Sequence, residues 1–254
     1  VGTIVTLIFP FFIEDANPML TEDAEDAYAE AQRQGGFTFM NHPNWTSQRL
    51  DGVARMEEMN ISLVEKGQIQ GIEVVNDLTY SDEALEIALE HNLAIIGTSD
   101  IHGLVDWQYD IPGGGHRPVT IVLAKERSEA GIKEALLERR TIAWYLDTFI
   151  GREEHVMPLI HATLNVESAA YTGNSSILRV MLTNSSESEY TLRNTSGFRF
   201  HNHADLLIVP PHHSLEVLVK TGERMESIDL SFDVLNVLTA PDTHPNVTLN
   251  VTSK

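Results

Sequence analysis

The spacing of apolar residues changes near residue 160, and that change restricts the chain to two parts built on different plans. Before it, strand and helix patterns alternate. Thr3–Ile13 reads as a buried strand. Thr21–Gln34, rich in Ala and Glu at helical spacing, reads as a helix with Thr21 as N-cap and Gly35-Gly36 as its stop. Phe37–Met40, Gly71–Asn76, Ala94–Gly97 and Val119–Ala124 read as strands, and Met56–Lys66, Asp82–His91 and Glu129–Arg139 as helices. That alternation predicts an α/β domain with parallel strands, whose ligands gather at the carboxyl ends of the strands. After about His161 the helical period is lost. Leu178–Thr183, Tyr190–Arg193, Asp205–Val209, Ser214–Val219, Ser227–Leu230 and Val247–Val251 are short alternating or β-branched runs punctuated by Asn, Ser, Gly and Pro, which predicts an all-β sandwich. The expected division is 1–155 and 156–254.

Composition narrows the function classes. Thirty-seven acids against seventeen bases give a net charge of −20. Nucleic acid and anionic membrane surfaces are therefore poor partners for the body of the protein. No apolar run reaches the roughly 18–20 residues of a membrane span. The apolar stretch Val1–Ile13 contains Pro10 and lacks a basic start, so it reads as neither a signal peptide nor a span. Cysteine is absent, which excludes disulfides, thiolate zinc sites and cysteine nucleophiles.

Two strand ends carry histidines. Phe37–Met40 leads into Asn41-His42-Pro43, and Ile95-Ile96-Gly97-Thr98-Ser99 leads into Asp100-Ile101-His102. In an extended segment residues i and i+2 face the same side, so Asp100 and His102 are expected to converge as a carboxylate and an imidazole. Mixed oxygen and nitrogen sets suit Zn, Mn or Fe, and Mg where more oxygens join. Each motif alone is ordinary turn or surface sequence; their pairing at strand ends of one α/β domain is what carries information.

The segments Gly-Gly-Phe-Thr-Phe-Met-Asn-His42-Pro-Asn-Trp, Gly71-Ile-Glu-Val-Val-Asn-Asp and Gly97-Thr-Ser-Asp100-Ile-His102 resemble, in this order, the later motifs of the PHP (polymerase and histidinol phosphatase) family. The resemblance covers about residues 10–150. His116-Arg117-Pro118 and the residues after it resemble the end of the barrel in a subgroup with an appended C-terminal β domain. The resemblance implies a distorted (β/α)7 barrel, a divalent metal cluster at its carboxyl face and phosphoester hydrolysis of a small phosphorylated substrate. It implies His42, Asp100 and His102 as metal ligands, with Glu73 and Asn76 on a strand aimed at the same face. The family's opening His-x-His, and the Asp-His and Gly-x-Glu elements that follow it, have no counterpart here, since His42 is the first histidine. The alternating portion is also short for seven units of roughly thirty residues or more. The expected fold is therefore a partial PHP-type barrel followed by a β-sandwich, with a homo-oligomer or a partner chain covering the open barrel.

His116 and Arg117, after Gly113-Gly114-Gly115, are the candidates for binding phosphate, the arginine through its planar fork. Trp45, Trp107 and Tyr109 follow the motif strands and are candidates to wall a pocket. His201, His203, His212 and His213 in the β part lack acidic partners at fixed spacing and read as surface histidines. Asn44, Asn60, Asn174, Asn184, Asn194, Asn246 and Asn250 each begin Asn-x-Ser/Thr, which is compatible with an exported, extracellular or periplasmic glycoprotein and equally with plain Thr- and Ser-rich strands. The alternative to a hydrolase is a non-catalytic structural or interaction protein that kept the scaffold.

Overall fold

A computed structural model describes residues 10–253. The strand expected over Thr3–Ile13 lies mostly outside the described residues. Within them, Phe11 bridges Phe37 through a pair of backbone hydrogen bonds of 2.9 and 3.0 Å. The chain divides into two compact units, Val1–Leu146 and Asp147–Lys254.

The described elements of the first unit are α1 (Ala24–Arg33), β1 (Phe39–Met40), α2 (Glu58–Glu65), β2 (Gly71–Asn76), β3 (Thr79–Tyr80), α3 (Asp82–Glu90), β4 (Ala94–Thr98), α4 (Val105–Tyr109), β5 (Val119–Val122), α5 (Glu129–Leu137) and β6 (Thr141–Tyr145). Hydroxyls open two of the helices: Ser81 Oγ accepts from Ala84 N at 3.1 Å and Ser128 Oγ from Gly131 N at 3.0 Å. Asp23 rather than Thr21 is the N-cap residue of α1, because the Thr21 hydroxyl donates to the Asp23 carbonyl at 2.7 Å instead of reaching into the helix.

Strands β1, β2 and β4 run parallel with β2 in the middle, Gly71 lying opposite both Phe39 and Ala94. A Cβ on Gly71 would stand 3.0 Å from the Phe37 ring and 3.1 Å from Phe39 Cβ, so the missing side chain is what lets these rings close over the sheet. Phe37, Phe39, Ala94, Ile96 and Leu136 form a buried cluster there. Because the three strands are parallel, the loops after Met40, Asn76 and Thr98 leave the sheet on one side.

The expectation of parallel strands fails at β5 and β6, which pair antiparallel with Val122 opposite Thr141. Helix α5 does not cross the sheet. Leu123 N donates to Arg140 O at 2.9 Å and Arg140 Nε to Leu123 O at 3.1 Å, so residues 123–140 leave and return at one point, like an enlarged hairpin turn. Towards β5 and β6, two threonine hydroxyls rather than a backbone ladder hold β4. Gly97 N donates to Thr120 Oγ1 at 2.9 Å, and Ile95 N to the buried Thr141 Oγ1 at 3.1 Å.

The second unit holds β7 (Thr148–Gly151), α6 (Glu153–Thr163), β8 (Leu164–Tyr171), β9 (Ile177–Asn184), β10 (Tyr190–Asn194), β11 (Arg199–Phe200), β12 (Leu206–Val209), β13 (Ser214–Lys220), β14 (Ser227–Val234), β15 (Val237–Leu238) and β16 (Asn246–Thr252). β7 and β15 pair parallel. The remaining strands form two antiparallel sheets of four, ordered β12-β10-β14-β16 and β11-β13-β9-β8. Alternate residues face inward: Ile228, Leu230, Phe232 and Val234 of β14 are buried, as are Leu178, Val180 and Leu182 of β9. Phe200 and Phe232, one from each sheet, have ring centroids 6.4 Å apart, so the buried faces meet as a sandwich. Asn184 is 1% exposed, and its Nδ2 donates to the carbonyls of Ser188, Val209 and Pro210. A glycan needs that amide exposed, so the sequon at Asn184 is a product of strand composition.

Candidate metal site at the strand ends of the first unit

His42 follows β1 and Asp100 follows β4, two strands separated by β2. The structure brings their side chains together across that strand, with His42 Nε2 3.9 Å from Asp100 Oδ1. Both residues hold left-handed backbone, with φ of 34° and 45°. For non-glycine residues this conformation is uncommon and costs free energy, and such costs concentrate at functional sites. The left-handed turn at Asp100 also overturns the expected extended Asp-x-His. His102 reaches the same carboxylate another way: its Nδ1–H donates to the Asp100 carbonyl at 2.6 Å, the ring lies 4.0 Å from Asp100 Oδ1, and Nε2 is left for a ligand.

Glu73, from the middle strand, holds the pair of loops together. It is 3% exposed. Its Oε2 accepts the backbone N–H of His42 at 2.5 Å and Asn76 Nδ2 at 3.2 Å, while Oε1 accepts the Thr98 hydroxyl at 2.8 Å. Burial pushes the Glu73 carboxyl above its usual range, opposed first by the bond from His42 and then by that from Thr98. One carboxylate thus ties the ends of β1 and β4 to β2. Asn76 spends its amide on Glu73 and Thr98. Asn41, just before His42, buries its Oδ1 without a hydrogen-bond partner among the described residues.

Two imidazoles and one carboxylate are donor types that suit a borderline divalent cation such as zinc, manganese or iron. They stand as an open arrangement: among the described residues no three His, Asp or Glu side chains gather closely enough to enclose an ion.

The phosphate candidates are placed differently from one another. His116 is not gathered with the three candidate ligands. Its Nε2 faces the Leu146 carbonyl at 2.7 Å and its Nδ1 the Arg117 carbonyl at 2.9 Å, with the ring stacked on Trp144 at 4.0 Å, so neither nitrogen is directed at a ligand. Arg117 is exposed, with no ion-pair partner among the described residues. Gly113-Gly114-Gly115 is an exposed turn, closed by Gly113 N and Gly115 N on the Asp110 carbonyl at 2.9 and 3.1 Å. A Cβ on Gly115 would collide with the Tyr109 carbonyl, and Gly114 holds φ of 92°.

The aromatic candidates divide too. Trp45 is half exposed, its ring 5.7 Å from that of His42, and Trp107 is 85% exposed. Tyr109 is buried and bonded, not a wall. Its hydroxyl lies 2.7 Å from both Asp77 Oδ1 and the Ser99 carbonyl. Burial, then the hydrogen bond and charge of Asp77, then the charge of Asp100, push this phenol well above its usual range, and Arg117 opposes them. The sequence gives no sign of the Asp77–Tyr109 link beyond an Asn-Asp pair at a strand end.

A crystal structure of a two-domain protein from Bacteroides vulgatus ATCC 8482, containing a predicted PHP-like metal-dependent phosphoesterase, matches with a TM-score of 0.87 and 34% identity, over 96% of this chain and 70% of that one. The chain belongs to the PHP-like family. Residues 164–250 match a family model of an Ig-like domain, DUF5001, in agreement with the β-sandwich of the second unit. No curated protein matches the chain. The PHP-like assignment accounts for the pairing of an α/β unit with an appended β domain. Among the described residues, no helix is long and apolar enough to cross a membrane.

Proposed function

We propose that this PHP-like chain contributes a metal-dependent phosphoester hydrolase site, with His42, Asp100 and His102 as ligands of a divalent cation. The observation that carries the reading is the convergence of His42 and Asp100 from two separate strands, each in strained left-handed backbone, on positions 3.9 Å apart. The similarity to a protein containing a predicted PHP-like metal-dependent phosphoesterase supports it. A bound cation would supply hydroxide near neutral pH and polarise a phosphoryl oxygen. The chain's own residues do the rest. Asp100 offers a carboxylate oxygen, and His102 keeps Nε2 available because Nδ1–H is committed to the Asp100 carbonyl. Glu73 fixes the backbone that carries His42. Arg117, without a carboxylate partner among the described residues, offers a fork for phosphoryl oxygens and for the charge that grows on them. Its carbonyl, held by His116, anchors the loop.

The test is metal content and aryl phosphate hydrolysis of the purified chain with manganese or zinc. Metal bound near stoichiometry and hydrolysis abolished by His102→Ala supports the reading. Neither metal nor activity, unchanged by that substitution, rejects it in favour of a non-catalytic scaffold.

A further inference from the structure

We propose that Tyr109 is a positioning residue that fixes the Ser99–Asp100 turn and so sets where the Asp100 carboxylate points. The proposal rests on Asp100 being a metal ligand. Three observations support it. First, the Tyr109 hydroxyl stands 2.7 Å from the Ser99 carbonyl, the peptide oxygen directly before the left-handed Asp100. The single phenolic hydrogen is shared between this carbonyl and Asp77 Oδ1, and a peptide plane held by such a contact can rotate little. Second, the same hydroxyl stands 2.7 Å from Asp77 Oδ1, which also accepts from Gln108 Nε2 at 2.8 Å. Asp77 is itself left-handed, with φ of 50°, and its N–H donates to the Thr98 carbonyl at 3.1 Å. The phenol thus joins the loop after β2 to the loop after β4. Third, Tyr109 is locked from behind. Gly115 N donates to Asp110 O at 3.1 Å, and a side chain on Gly115 would strike the Tyr109 carbonyl. Trp107, two residues earlier and exposed, shares none of this.

Glu73 and Tyr109 then play matching parts. Each stabilises a left-handed candidate ligand through the main chain, Glu73 at the N–H of His42 and Tyr109 at the carbonyl before Asp100. Both contacts are to the main chain, so the effect of Tyr109 on a bound metal runs through geometry.

Tyr109→Phe keeps the ring and removes only the oxygen. Zinc binding to the full chain, measured calorimetrically, is expected to weaken about tenfold or more, the range typical when groups that orient metal ligands are lost. The metal-free protein is also expected to melt somewhat lower, because the Ser99 carbonyl and Asp77 lose a donor, so zinc affinity is the deciding readout. A melting shift with unchanged zinc affinity would make Tyr109 merely structural and overturn the proposal. Asp77→Asn is the second variant. It keeps an acceptor beside the phenol and leaves the Ser99 contact in place, so zinc affinity is expected to match wild type. A tenfold loss there would assign the effect to the Asp77 charge and also overturn the proposal. Absence of zinc binding in wild type would reject the metal reading itself, and this inference with it, whereas binding in wild type that is equal in Tyr109→Phe rejects this inference alone.

Discussion

Glu73 shows how one side chain can be costly and required at once. Burial is the largest influence on its carboxyl and raises it, and three donors work in the opposite direction. Removing the charge while keeping an acceptor should therefore cost little, and removing the acceptor should cost much. Glu73→Gln is expected to lie within about 1 kcal/mol of wild type in urea unfolding, because an amide oxygen can still take the His42 N–H. Glu73→Ala leaves that N–H and the Thr98 O–H without an acceptor and is expected to lose about 2–3 kcal/mol. Equal losses for both variants would contradict this account. His42, Asp100 and His102 were legible as candidates because short motifs at strand ends announce them. Glu73 was legible as a residue aimed at the same face, but its partners were not: it sits 31 residues from His42, Tyr109 sits 32 from Asp77, and no local pattern records such pairings.

At the scale of elements, strands β2 and β4 and helix α3 could be read from the chain because apolar runs and a serine cap bound them. β6 and α6 could not. β6 follows α5 through Arg139, a left-handed residue that is not glycine, so no turn residue marks its start. α6 carries Pro158 inside it, which reads as a break. The crossing of the β5–β6 hairpin against β4 was also invisible, because it rests on threonine hydroxyls instead of a ladder. Thr141→Val is expected to cost about 1–3 kcal/mol by leaving the Ile95 N–H unpaired, with Thr141→Ser close to wild type. Amide exchange at Ile95 should accelerate in the valine variant and not in the serine one.

At the scale of the whole molecule, the surplus of acids governs the response to solution conditions. Self-repulsion at a net charge of −20 is relieved by salt, so the melting temperature should rise between low salt and about 0.15 M, where screening acts within roughly 8 Å. Acid acts on particular pairs. Hydrogen bonds from Arg140 and then Lys125 hold Glu134 down at about 2, against an ordinary value of 4.5. A carboxyl lowered on folding contributes stability above its ordinary value and loses it as pH falls through the folded one. Stability should thus decline from about pH 4.5 towards 2, and Glu134→Gln should flatten part of that decline in acid titrations followed by circular dichroism. The buried carboxylate of β2 also bears on how the first unit reaches a single structure. If β2 slipped by one residue against its neighbours, every side chain on it would change faces. Glu73 would then enter the apolar layer with no donor, and the His42 amide would be stranded. The group that steadies the candidate ligands thereby penalises misaligned strands, so natural selection for the site would at the same time protect the chain from misfolding.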